Sequence, residues 1–369
     1  MTLTIVVALA SSAFSAATAS IGQSAKPFQV MVGDPAPPLR VHWVRGDPVR
    51  KLITGRVYVV DFWATWCAPC IEAMPHLTAL QAKYTGKVTF IGVSVWERVQ
   101  AGVKPFALKM RQKMGYGVAM DIVPAPKKNQ DLPWSGDDGV MSQSWLHASG
   151  EFTYGIPRSI IVDRNGRVAW MGPPSGLDEP LAKVVAGTWK IAAEQQREFP
   201  IAVKLAAGIG FRAQFDLAMR QGTYARAVDA CEKLLRLDEQ ANADYASEKF
   251  CVLLTKLHET KKAYDYAPDA IRIGDKDGYA LWKIGDAIVN LSGTASDRNL
   301  DLAMRAAMRS NELGEGKVDW YLDLLAHVNA LKGDYKSAAQ LEAAAVAHAR
   351  PSNAKPFQTA LDGYKKRVG

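Results

Sequence analysis

Residues 55 to 70 read GRVYVVDFWATWCAPC. An apolar run rich in β-branched and aromatic residues reads as a buried strand, and it ends on two cysteines three positions apart. Beyond Pro69 the pattern turns helical to about Tyr84, with Ile71, Met74, Leu77 and Leu80 on one face. Pro69 suits a first helical turn, where its missing N–H loses no partner. Pro75 lies deeper in the same helix, removes a donor and crowds the carbonyl of Ile71, so a kink is expected there. The chain is thus held to a strand–Cys-x-x-Cys–helix unit, with Cys67 just before the helix and Cys70 one turn inside it.

That placement sets a chemistry. First-turn N–H groups and the helix dipole favour a thiolate at Cys67, the nucleophile. Cys70 is more shielded and is the resolving thiol, which attacks the mixed disulfide formed by Cys67 and releases a reduced partner. Exchange of this kind needs no cofactor. A structural zinc site would need a second Cys or His pair at similar spacing. His76 stands six residues past Cys70, and the next cysteine is 161 residues away, so no metal site is expected. Copper handling by the two thiolates with a distant His stays open as an alternative.

The rest of the composition narrows the class. Four cysteines in 369 residues are too few for a disulfide-stapled scaffold. Cys231 and Cys251 lie in apolar helical surroundings and read as small buried hydrophobes. A net charge of +8 is spread along the chain without a Lys/Arg block interleaved with aromatics, so nucleic acid is not an expected partner. The length and the 48% apolar content fit two domains with real cores.

The first 25 residues carry no charge. An apolar core from Leu3 to about Phe14, then Ala17-Thr18-Ala19, fits a signal peptide over 1–19, although no Lys or Arg precedes the core. The core is short for a membrane span. The expectation is an exported, periplasmic protein with no stable membrane span after signal removal.

Residues 20 to 38 read as an extended lead-in, KVTFIGVSV (87 to 95) as a second buried strand, and about 99 to 114 as a helix. Residues 121 to 140, rich in Pro, Gly and Asp, look like a surface insertion. A short helix at MSQSWLHAS precedes GIPRSIIVDRNGRVAWMG, two strands around an Asn165-Gly166 turn, and 177 to 191 closes with an amphipathic helix. Past residue 200 strand signals vanish. Tyr224 and Ala227, Tyr264 and Ala267, Leu300 and Ala303, Tyr335 and Ala338 repeat an aromatic-or-Leu, x, x, Ala pattern, their first residues 40, 36 and 35 apart.

With these motifs in place, two resemblances follow. VVDFWATWCAPC, the Pro five residues after the second Cys, the insertion, and the later GIPRSIIVDRNGRV are similar to the thioredoxin superfamily. In detail they resemble its exported TlpA/ResA-type thiol-disulfide oxidoreductases over roughly residues 33–192. The repeats resemble degenerate tetratricopeptide repeats, about four helix pairs over 205 to 350 in a helical-repeat domain spanning 200–369. The first resemblance implies an α/β thioredoxin-like fold, a mixed central sheet flanked by helices, followed here by an all-α helical-repeat domain. It makes Cys67–Cys70 a redox-active disulfide, and it makes the bond before Pro157 cis and facing the pair. The backbone of Ile156 then pairs with an extended partner segment, and Trp66 shields the pair and forms part of the contact surface.

Two departures bear on the mechanism. Asp61 stands where thioredoxin has its buried acid, whereas many TlpA-like proteins carry Asn. A Glu common in TlpA-like helices two positions before the Pro is Ala73 here, with Glu72 beside it. The acid–base role therefore moves to Asp61, which takes the proton of Cys70. Relatives mostly reduce, so the expected activity is a protein-disulfide reductase. Its partners are protein thiols and disulfides, an upstream thiol-disulfide electron donor, and a protein bound by the repeats. A peroxiredoxin needs a lone peroxidatic Cys, so direct peroxidase activity is not expected. The competing view is a redox-sensitive scaffold whose repeats do the main work.

Overall fold

The computed structural model describes residues 26–124, 139–292 and 297–368. The expected signal peptide and most of the 121–140 insertion lie outside these residues. The chain divides between Ala206 and Ala207 into two compact units.

The first unit is a six-stranded mixed sheet in the order β1-β4-β3-β2-β5-β6. The strands are β1 Val41–Arg45, β2 Val57–Trp63, β3 Val88–Ser94, β4 Gly117–Asp121, β5 Arg158–Val162 and β6 Val168–Gly172. β2 and β3 run parallel, as do β3 and β4; the pairs β1–β4, β2–β5 and β5–β6 are antiparallel. Helices α1 Ala68–Lys83, α2 Val103–Lys109 and α3 Asp178–Ala186 complete the unit.

β2 is buried along its whole length, as its apolar pattern, interrupted by Asp61, requires of a central strand. Its alternate residues feed two cores. Val57, Val59 and Trp63 pack with Cys67, Cys70, Met74 and Leu77 of the α1 side. Tyr58, Val60 and Phe62 pack with Met141, Trp145 and Leu146 on the other face. Asp61 therefore points to the face that carries the cysteines.

Two strands differ from the sequence expectation. VHWVR and GVAMD, too short and mixed to signal alone, pair with each other and extend the sheet beyond β3. The helix expected over 99 to 114 is shorter: a turn at Gln100–Gly102 leads into α2, and the chain leaves it to enter β4. Asp121, placed in the insertion by its composition, ends β4 as a buried acid. Its carboxylate accepts from the Met141 and Ser142 N–H groups at 2.7 and 2.9 Å. α1 runs unbroken through Pro75. The closing helix of 177 to 191 stops at Ala186, capped by Gly187 at φ 74°.

The second unit is helical. α4 Ile191–Gln221 spans the division between the units. After it come α5 Tyr224–Leu237, α6 Asp244–Thr255, α7 Thr260–Ile273, α8 Gly278–Val289, α9 Leu300–Leu313, α10 Asp319–Leu331, α11 Tyr335–His348 and α12 Ala354–Val368. The repeated Ala227, Ala267, Ala303 and Ala338 are all fully buried, where a methyl side chain lets helices approach closely. Asp277, Asn299 and Asp334 cap α8, α9 and α11 by accepting from first-turn N–H groups. Cys231 is buried and Cys251 partly so; both are free thiols. Among the described residues no helix is long and apolar enough to cross a membrane.

Candidate functional site

Cys67 is the N-cap of α1, with φ −85° and ψ 97°, and its Sγ accepts from the Cys70 N–H at 3.3 Å. Cys67 and Cys70 form a disulfide with a Cα–Cα distance of 5.3 Å. Both are nearly inaccessible, at 3% and 2%. Cys67 faces the loop before β5: its Sγ lies 3.6 Å from the Ile156 carbonyl oxygen, and the Ile156–Pro157 bond is cis.

Asp61 lies inside the sheet. Ser159 of β5 is its antiparallel partner and donates from Oγ to Asp61 Oδ1 at 2.6 Å. Burial pushes the Asp61 carboxyl up from 3.8 to about 7, the Ser159 hydrogen bond opposing the shift. A carboxyl of that acidity on the face shared with Cys70 can take or return a proton near neutrality.

Trp66 is 47% exposed, and its Nε1 donates to the Trp96 carbonyl at 2.9 Å. Trp96 in turn donates from Nε1 to Ser142 Oγ at 2.8 Å. Its φ of 55° is a left-handed value that a bulky residue adopts only when its surroundings hold it.

Sequence reasoning missed Glu97. Its carboxylate accepts from the Thr65 N–H at 2.7 Å, from Thr65 Oγ1 at 2.7 Å and from Ser94 Oγ at 2.6 Å. It ties the ATW bend before Cys67 to the end of β3. Its one sequence signal is position, just past the carboxyl end of a parallel strand, where sites in open sheets gather. Also unforeseen is the pairing of Arg158 with the buried Glu151. The Arg158 guanidinium stacks 4.7 Å from the centroid of exposed Tyr154, steadying the loop that carries Ile156 and Pro157.

His76 Nε2 meets Asp178 Oδ2 at 2.8 Å. Among the described residues no group of three or more His, Cys, Asp or Glu is placed to hold a metal ion.

A disulfide at a strand-to-helix junction, a buried acid on the same sheet face and a Pro loop against the Cys67 sulfur define a thioredoxin-like two-cysteine redox protein. Residues 31–183 match the Redoxin family. The chain is 30% identical over 167 residues to Protein FixW of Rhizobium leguminosarum, covering 45% of this chain and 71% of that one. It is 27% identical over 142 residues to the thiol-disulfide oxidoreductase ResA of Bacillus cereus, covering 38% and 68%. A solved thiol-disulfide isomerase from Corynebacterium glutamicum aligns over 42% of this chain and 97% of its own, at 21% identity and TM-score 0.32. The chain belongs to the redoxin family, among the TlpA/ResA-like thiol-disulfide oxidoreductases.

Proposed function

We propose that this protein is an exported protein-disulfide reductase whose tetratricopeptide-like helical unit binds a protein partner. The observation that carries the chemistry is a buried Asp61, its carboxyl pushed by burial up to about 7, on the sheet face of a Cys67–Cys70 pair that caps a helix. In the reduced protein the Cys67 thiolate attacks a substrate disulfide, so one substrate S–S bond breaks, a Cys67–substrate bond forms and one substrate thiolate leaves. Cys70 passes its proton to Asp61 and attacks Cys67 Sγ. The mixed disulfide breaks, the second substrate sulfur leaves reduced, and the Cys67–Cys70 bond is remade. An upstream thiol-disulfide donor returns two electrons to the pair.

Ile156, Pro157 and Trp66 form the docking edge for an extended substrate segment, an assignment supported by the Cys67–Ile156 contact and the exposure of Trp66. Export is supported by the apolar segment before Ala17-Thr18-Ala19, and residues 1–19 are removed on that view.

Insulin reduction by wild type and Cys67→Ser tests the activity. Wild type no faster than the variant would end the enzyme reading in favour of a redox-sensitive scaffold. Cys70→Ser should leave Cys67 joined to its substrate as a mixed disulfide. Recovery of no specific adduct from periplasm would count against substrate exchange there.

A further inference from the structure

Cys67 is the N-cap of α1, and the bend at 64–66 brings the chain to it from the end of β2. The segment following β3 holds that bend through four hydrogen bonds. The Val95 N–H donates to the Trp63 carbonyl at 2.8 Å. Glu97 Oε1 accepts from the Thr65 N–H, and Glu97 Oε2 from Thr65 Oγ1, both at 2.7 Å. The Trp66 Nε1–H donates to the Trp96 carbonyl at 2.9 Å. Buried Ser94 anchors the carboxylate from behind, its Oγ donating to Glu97 Oε1 at 2.6 Å. A carboxylate that takes the N–H and the hydroxyl of one residue fixes that residue's backbone and rotamer together. Trp96 completes the grip. Its left-handed φ of 55° sets its own carbonyl and the Glu97 side chain against consecutive residues of the bend, and its Nε1 is tied to Ser142 Oγ at 2.8 Å. A bulky residue held in that conformation costs free energy, which a geometry with a task can justify.

We propose that Glu97 is a positioning residue for Cys67. By gripping Thr65, two residues upstream, it holds Cys67 at the helix N-terminus, where first-turn N–H groups favour the thiolate, and so raises the reactivity of the attacking thiol. This rests on Cys67 being the nucleophile, as given above. Around Cys67, α1 carries Cys70, β2 carries Asp61, β5 begins with Arg158, and the segment after β3 carries Glu97 and Arg98. The Glu97 carboxylate acts in two opposed ways. Its charge disfavours a neighbouring thiolate, whereas its grip favours the Cys67 thiolate through the helix. The bonding favours the grip: three donors share the carboxylate charge, and the held Cys67, at φ −85° and ψ 97°, receives the Cys70 N–H on Sγ at 3.3 Å.

Alkylation of reduced Cys67 by iodoacetamide tests this, followed against pH in the full chain with the modified peptide read by mass spectrometry. Glu97→Ala removes charge and grip together, so the sign of the shift decides. Loss of the grip should lower the Cys67 acid dissociation constant by about threefold, the scale of a helix-terminus interaction, and move the profile to higher pH. Loss of the charge alone would move it to lower pH. Glu97→Gln removes the charge but keeps an oxygen for the Thr65 N–H and an N–H for the Thr65 hydroxyl oxygen. It should return the profile to the wild-type position or below it. A folded Glu97→Ala protein with an unmoved profile, or one moved to lower pH, overturns the positioning role. So does a Glu97→Gln profile displaced as far as that of Glu97→Ala. Should Glu97→Ala not fold, Thr65→Val decides, since it removes only the hydroxyl donor. A profile moved to higher pH supports the grip, and any other result overturns it. Wild type that reduces insulin no faster than Cys67→Ser would end the enzyme reading by itself. An active wild type beside an unmoved Glu97→Ala profile removes only the role of Glu97.

Discussion

Asp61 costs stability through the same property that serves the proposed chemistry. Burial disfavours the charge and pushes its carboxyl from 3.8 up to about 7, the Ser159 hydrogen bond opposing. A folded-state value raised in this way means the native protein holds the proton more tightly than the unfolded chain. Its contribution to stability is whole below the unfolded value and is lost as pH rises through about 7. Asp61→Asn removes that loss. The variant should melt above wild type at about pH 8, and the gap should close as pH falls towards 4. On the proposed mechanism its insulin reduction should drop by about ten- to a hundredfold, because Cys70 would lose its proton acceptor. Equal melting of the two proteins in alkali would show that Asp61 is not held against its charge. The sequence placed Asp61 because the family position and the apolar strand both mark it. Glu97 escaped, since nothing local to VSVWE says that Thr65 and Ser94 will turn three donors on its carboxylate.

At the scale of elements, what was legible depended on whether an element's signal was its own. β2, β3, α1 and the β5–β6 hairpin each carry a complete apolar period or a turn signature. In the hairpin, Gly166 takes a φ of 74° and Asp163 accepts from the Asn165 and Arg167 N–H groups at 2.8 and 2.9 Å. β1 and β4 carry no such signal. They are strands because each supplies the other with backbone partners at the sheet edge, a long-range pairing that no window of sequence contains. In the helical unit the repeated alanines were legible as small residues, and their burial gives them a measurable role. Ala303 is fully buried in the core formed with Ile284, Ile288, Leu324 and Val328. Ala303→Leu should overpack that core and destabilise the helical unit by about 1–3 kcal/mol. Denaturation followed by far-ultraviolet circular dichroism reads the loss, and an unchanged midpoint would mean the helices can part at no cost. Cys67 alkylation should be unaffected, because the first unit has cores of its own.

The whole molecule places a buried carboxyl in each of its units. In the helical unit Glu342 is fully buried on α11, and among the described residues no donor reaches its carboxyl oxygens. Its partner is the Asp323 carboxyl on α10, so the pair holds together only when a proton lies between them. Burial first, then Asp323, pushes Glu342 from 4.5 up to about 8, and Asp323 is raised as well. The other groups around the pair are His327, which favours the charged form of Asp323, Asp286 and Asp319, which oppose it, and Tyr364, which burial first and then the pair push up to about 12. Because the native state binds the Glu342 proton more tightly than the unfolded chain, stability from this group is whole below 4.5 and is lost as pH rises through about 8. Glu342→Gln keeps a donor for Asp323 and removes the titration. In melts followed at about pH 9 the helical unit of the variant should therefore unfold above that of wild type, with the two converging in mild acid. The melting of the sheet unit, read by the near-ultraviolet signal of buried Trp63 and Trp145, should not respond to Glu342→Gln, just as the helical unit should not respond to Asp61→Asn. If either substitution moved both transitions together, the two units would unfold as one, and the division at Ala206 would mark a change of architecture with no boundary in stability.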